Sequence, residues 1–238
     1  MTKTALDRVQ FEESGLDSSH AADFAEAMLS ALRIRPRTIA PKYFYDRHGA
    51  ALFERICESD EYYLTRSEIA ILAEHAPHIA QLAGPRADLI EFGAGRFDKA
   101  KILLGALASP ARYVPVDLST EHFAEAGRHL VRAHPGLMVE PLAADFAQPL
   151  SLPARRPGDG ARIGLFLGST IGNFSPAQAR AFMADAASAL TGGALLVGVD
   201  LVKDPGVLHR AYNDAQGITA AFNRNLLERA NRELAADF

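Results

Sequence analysis

The apolar positions change period once along this chain, near residue 88. Before that point they recur at helical intervals: Ala22, Phe24, Met28 and Leu32 in "SSHAADFAEAMLSAL" share one face. "PKYFYDRHGAALFERICES" follows as an aromatic-rich turn leading into a helix. A third helix is expected over "TRSEIAILAEHAPHIAQLAG", where Thr65 and Glu68 have the spacing of a capping box. From Asp88 onward, short apolar runs alternate with helical segments. Strands are expected near 88–93, 112–117, 136–142, 163–168 and 194–200, with helices near 97–108, 120–133 and 175–190. Ser175, Pro176 and Gln178 mark the start of the last helix: a capping hydroxyl, proline at the first helical position and a reciprocal amide. Strand–helix repetition predicts an α/β fold with a parallel sheet covered on both faces. Ligands of such sheets bind beyond the carboxyl ends of the strands.

Composition narrows the function. At 238 residues the chain forms one large domain, or one with a smaller appendage. A net charge of −4, from 25 basic and 29 acidic residues, gives no electrostatic grip on nucleic acid or an anionic membrane. "MTKTALDRVQFEES" has no apolar run of the secretory kind, and no segment approaches the ~18 apolar residues of a membrane span. The single cysteine, Cys57, excludes an intramolecular disulfide and fits a reducing cytoplasm. It falls on the buried face of its helix, where free cysteine acts as a small hydrophobe. His75 and His78 lie three apart, but no acid or thiol cluster accompanies them at ligand spacing, so no metal is expected.

The strand ends carry the chemistry. "DLIEFGAGRFDKAKILL" runs from a strand through Gly93 and Gly95 into a helix, a turn in which backbone can approach a ligand. A dinucleotide fingerprint needs a third glycine at position 98, which is Asp; a phosphate loop needs Gly-Lys-Ser/Thr, and Lys99 stands between Asp98 and Ala100. What remains is Glu91 two residues ahead of G-x-G, a pattern that suits a cationic amino-acid–nucleoside ligand without phosphates, S-adenosylmethionine. "YVPVDLS" ends the second strand at Asp117, about two dozen residues past Gly93, where an acid either accepts the ribose hydroxyls or caps the next helix. "LAADFAQ" ends the third, placing Asp145 toward the adenine amine and Phe146 against the adenine face. Lys99 either pairs with the cofactor's carboxylate or stands solvated on its helix. The fourth strand opens into Gly168 and, five residues on, Asn173; there a methyl acceptor would face the sulfonium, and the Asn173 amide orients it or satisfies the turn.

Three stretches then identify a family: "PKYFYDRHGAALFERICESDEYYLTRSE", "FLGSTIGNFSP" and "DLVKDPGVLHRAYNDAQGITAAFNRNLLERANRELAADF" resemble the histidine-specific methyltransferases, whose best-known members trimethylate the α-amine of L-histidine in ergothioneine biosynthesis. The resemblance runs from about residue 41 to 238. It implies a Rossmann-like class I methyltransferase sheet, S-adenosylmethionine as methyl donor and a small amino acid as acceptor. Gly93, Lys99, Asp117, Asp145 and Phe146 fall on its cofactor positions. Gly168, Asn173, Tyr62 of "DEYYLTR" and Tyr212 of "RAYNDAQG" fall on its substrate positions: the resemblance implies that Asn173 and Tyr212 hold the amino acid's backbone end and that Tyr62 lies near the imidazole, with Asn173 and Tyr62 the catalytic candidates. The implied organisation is a helical substrate-recognition part at 1–84, a cofactor domain at 85–200 and a second helical part at 201–238. The expected state is a cytoplasmic monomer; association between copies would use the uncovered edge of the last strand.

Two departures from the family pattern stand out. Its glycine turn continues with small hydroxyl residues, whereas Arg96 and Phe97 follow here, changing the surface expected near the cofactor's methionine end. Family members also continue for several dozen residues past the position of Phe238. That part carries imidazole-recognition residues and the last two of seven sheet strands, so the resemblance implies a C-terminally truncated form with five.

Overall fold

The computed structural model describes residues 17–120 and 123–238. Residues 1–16, including the stretch read for a secretory signal, lie outside them. The described residues divide into two compact units: Arg66–Asp200, and residues 17–65 together with Leu201–Phe238.

The first unit is a parallel sheet between helices. β1 (Asp88–Phe92) is central, with β2 (Arg112–Asp117) on one side and β5 (Arg162–Phe166) on the other. β3 (Met138–Val139) and β4 (Leu142–Ala143) both pair with β2, and β6 (Ala194–Val197) pairs with β5, giving the order β3-β2-β1-β5-β6. The third expected strand is therefore two short pieces, broken at Glu140 and Pro141, where proline has no N–H to give to a ladder. All pairings are parallel, and the strands match the expected Rossmann-like α/β sheet.

Successive strand residues supply opposite faces. Leu89, Tyr113, Val139 and Leu165 pack with Leu72 and Ala76, with Leu103 and Leu104, and with Phe123 and Leu130. Those partners belong to α3 (Tyr63–Ala83), α4 (Asp98–Ala106) and α5 (Phe123–Ala133). Ile90, Phe92, Val114, Val116 and Phe166 face the other way, onto Phe182 and Ala186 of α6 (Pro176–Ala189). Leu89, Leu103, Leu104 and Leu165 are at most 1% exposed, and burying each contributes about 1.5–3 kcal/mol. At the amino ends of the strands, buried Arg112 holds Asp88 at 2.6 Å and Glu140 at 3.2 Å.

Helix starts follow the sequence reading in one case and not in another. Ser175 and Gln178 form the expected reciprocal capping box of α6. Thr65 does not cap a helix: α3 already begins at Tyr63, and Glu68 spends its carboxylate elsewhere. The division between units also falls inside α3, at Thr65/Arg66, rather than at residue 84. The reason is packing, because Leu72, Ala76 and Ala83 belong to the sheet's own core.

The second unit is helical. α1 (Asp17–Arg33), α2 (Arg47–Glu58), α7 (Pro205–Ala211) and α8 (Ile218–Leu234) join with a short 3-10 turn at Pro41–Phe44. Phe24, Met28, Tyr43, Leu226 and Ala230 form one core cluster; Leu52, Ile56, Tyr62, Leu64, Ala211 and Ile218 form another. Asp46 caps α2 through Gly49 N–H at 2.8 Å and accepts from Asn225 of α8 at 2.6 Å. Asp214 accepts from the N–H groups of Ile218 and Thr219 at 2.8 and 2.7 Å, which fixes the start of α8. Among the described residues, no helix is long and apolar enough to cross a membrane.

Candidate active site

Strand order reverses at β1, so β2 and β5 leave its carboxyl end in opposite directions and open a crevice there. Gly93 follows β1 directly and Gly168 follows β5 by one residue; both are exposed and left-handed, with φ of 74° and 75°. The glycine turn is anchored to β2, with Gly93 and Ala94 donating to the Val116 carbonyl at 2.8 and 3.2 Å. Asp117, the last residue of β2, accepts from Gly95 N–H at 3.3 Å and from Leu118 N–H at 2.7 Å. Its carboxylate thus sits against the turn.

Phe146 closes the same crevice. A Cβ on Gly93 would stand 3.2 Å from its ring, so the backbone comes close to the ring at a position whose φ of 74° already favours glycine. The ring rests on Phe166, Phe174 and Phe182 at centroid distances of 5.7, 6.5 and 6.4 Å, which fixes its position. Asp145 beside it accepts from Ala147 N–H at 2.9 Å. An acid at the end of β2, a half-buried ring after β4 and glycine backbone between them fit the ribose, base and methionine ends of S-adenosylmethionine.

Lys99 lies in the first turn of α4 and is not solvated: its ammonium is 2.5 Å from Glu68 of α3. A cation in a first helical turn opposes the helix dipole, and the facing carboxylate offsets that cost. Glu68 also accepts Gly168 N–H, at 2.8 and 2.9 Å to its two oxygens. A 3-10 turn at Thr170–Asn173 follows and leaves Asn173 exposed at the carboxyl end of β5.

Glu91 departs from the sequence reading. Its side chain turns into the core rather than toward a cation: it is 3% exposed and accepts the Tyr113 hydroxyl. Burial pushes its carboxyl from 4.5 up to about 8, against the pull of the Tyr113 hydrogen bond and Lys99. The folded state therefore holds a proton that the unfolded chain releases across this window. Stability that is full below 4.5 is lost as pH rises toward about 8, at about 1.4 kcal/mol per pH unit. Glu91→Gln keeps an acceptor for Tyr113 and removes this slope. Calorimetric melting curves of the variant should gain on the wild type as pH rises through that window; parallel curves would reject the assignment.

In the helical unit, Tyr62 is 6% exposed and Tyr212 52% exposed, with their rings edge-to-face at 5.9 Å. Tyr62 also meets Phe53 at 6.2 Å. Glu61 accepts Ala215 N–H at 3.2 Å, tying the segment of Tyr62 to the loop after Tyr212. The two tyrosines of the resemblance are thus neighbours in the fold.

The family departure at 96–97 has a different consequence from the one expected. Phe97 does not alter the cofactor surface, being 2% exposed and packed on Tyr113 at 5.1 Å and Phe123 at 4.8 Å. Only Arg96 is exposed, paired with Asp98 at 3.0 Å. His75 and His78 lie on exposed positions of α3, and among the described residues no histidine, cysteine or acid group is arranged to hold a metal. Sequence reasoning gave Glu68 only the spacing of a cap, whereas its carboxylate meets Lys99 and the Gly168 N–H.

A Rossmann-like sheet with this crest of glycines, terminal acid and aromatic ring defines an S-adenosylmethionine-dependent methyltransferase. The family model for histidine-specific, S-adenosylmethionine-dependent methyltransferases matches residues 24–238, and the chain belongs to that family. Among its relatives is histidine N-alpha-methyltransferase of Mycolicibacterium smegmatis, 41% identical over 227 residues, or 92% of this chain and 70% of that protein. The protein of the same name from Mycobacterium tuberculosis is 39% identical, with 94% of this chain and 70% of the relative covered. Ergothioneine biosynthesis protein 1 of Neurospora crassa is 35% identical over 82% of this chain and 23% of its own length.

Proposed function

We propose that this chain transfers methyl groups from S-adenosylmethionine to the α-amine of L-histidine, in the cytoplasm and as a monomer, for ergothioneine biosynthesis. The observation that carries the reading is the family match over residues 24–238, which includes every candidate site residue. S-Adenosylmethionine supplies an already activated methyl group on a sulfonium, so the protein's contribution is to bind and orient. In the sheet unit, Gly93, Asp117, Asp145 and Phe146 hold the nucleoside, Lys99 takes the cofactor's carboxylate, and Gly168 and Asn173 serve the acceptor. Asn173 offers a neutral amide, which orients a polar group without adding charge beside a cation. In the helical unit, Tyr62 and Tyr212 serve the acceptor.

Kinetics with a panel of amines test this reading. L-Histidine should exceed histamine and L-tryptophan in kcat/KM by roughly ten thousandfold, because a site built to hydrogen-bond a group rejects an analogue lacking it. Comparable values for the three would remove histidine as the acceptor. The amine must arrive uncharged, and the ammonium formed by each of the first two transfers must shed a proton before the next, so the chemical step should accelerate as pH rises toward the amine's pKa. A flat profile would contradict a neutral-amine nucleophile.

A further inference from the structure

Lys99 in the first turn of α4 and the turn after β5 carry different tasks in that reading, yet one side chain reaches both. We propose that Glu68 is a positioning residue that holds Lys99 for the cofactor and the Gly168 turn for the acceptor at the same time; its acceptor half rests on the function proposed above.

Three observations support this. The Glu68 carboxylate lies 2.5 Å from the Lys99 ammonium, and their side chains are only 15% and 21% exposed, so solvent screens the pair weakly. An ammonium has three donors, and engaging one with Glu68 aims the others without consuming them. The same carboxylate accepts Gly168 N–H with both oxygens, at 2.8 and 2.9 Å, across 100 residues of sequence. Finally, the fold leaves room for it: a Cβ on Gly198 would stand 1.9 Å from Glu68 Oε1. Gly198 is thereby the floor of the niche in which the carboxylate rests.

The turn needs such a clamp. Gly168 and Ser169 are both left-handed, with φ of 75° and 55°, and a serine adopts that region only when its surroundings impose it. Glu68 secures the N–H of Gly168, Ser169 Oγ accepts from Asp200 N–H at 3.0 Å, and Thr170 Oγ1 donates to the Leu167 carbonyl at 2.7 Å. Together these bonds set the direction in which the 3-10 turn delivers Asn173.

Two substitutions at Glu68 separate the halves. Glu68→Gln retains a carbonyl oxygen for Gly168 N–H but loses the charge that holds Lys99, whereas Glu68→Ala loses both. S-Adenosylhomocysteine should bind about tenfold more weakly to either variant in calorimetry. The KM for L-histidine should rise about tenfold in Glu68→Ala and stay near the wild-type value in Glu68→Gln. Gly198→Ala, which keeps the carboxylate but fills its niche, should resemble Glu68→Ala and decides the matter if that variant fails to fold. Unchanged S-adenosylhomocysteine affinity in both Glu68 variants would overturn the Lys99 half. A KM equal in Gln and Ala variants would overturn the Gly168 half, leaving Glu68 a purely structural contact. If the wild type does not methylate histidine, the proposed function falls, while the calorimetric comparison still judges the clamp.

Discussion

Asp117→Ala should lower the affinity for S-adenosylhomocysteine by about a hundredfold if Asp117 accepts from the ribose, because each hydrogen bond from a ribose hydroxyl to a charged acceptor is worth about 1.5–3 kcal/mol. Asp117 ends β2, and its two oxygens are oriented by the N–H groups of Gly95 and Leu118 at 3.3 and 2.7 Å. That scaffold presents a preoriented carboxylate at the crevice without needing the ligand to arrange it. Asp117→Asn keeps an oxygen for the backbone donors and loses the charge, so it should fall between alanine and wild type. The alanine variant has a second effect, since it frees Gly95 N–H from its partner and loosens the glycine turn itself. Calorimetric titration measures the outcome, and an alanine variant that binds as the wild type does would remove Asp117 from the ribose.

The second large effect is at Gly93. Alanine there must adopt φ near 74° and places its Cβ 3.2 Å from the Phe146 ring. The left-handed conformation alone costs about 1–2 kcal/mol. The contact adds to this because Phe146 has little room to retreat from Phe166, Phe174 and Phe182. Gly95→Ala is the control: its φ is 45°, but nothing lies within 4 Å of the added atom. Gly93→Ala should therefore lose S-adenosylhomocysteine affinity as well as melting temperature, while Gly95→Ala loses chiefly melting temperature. Equal affinities for the two variants would mean that the Gly93–Phe146 approach does not shape the cofactor site.

The parallel sheet was readable because buried strands such as "RIGLF" carry continuous apolar runs, and the spacing of turns between them leaves little freedom. The break in the third strand was also in the sequence, at Pro141, but a single proline does not say whether a strand ends or is merely interrupted. Side-chain direction was harder to read. Glu91 and Phe97 flank the glycine turn, yet both turn inward onto Tyr113 rather than toward a ligand. Their burial is decided by α4 and α5 packing on the sheet, which local pattern does not encode. Glu68 was misread for a related reason: its capping-box spacing is local, whereas its partners Lys99 and Gly168 come together only once the sheet has formed. The pairing of Tyr62 with Tyr212 is likewise a product of tertiary packing, and only family resemblance had singled the two out.

The most direct test of this account is mass spectrometry of the purified protein incubated with methyl-labelled S-adenosylmethionine and L-histidine, with fragmentation to locate the label. The account predicts products carrying one, two and three labelled methyl groups, all on the α-nitrogen. Label on the imidazole, or no labelled histidine from protein that binds S-adenosylhomocysteine, would contradict it.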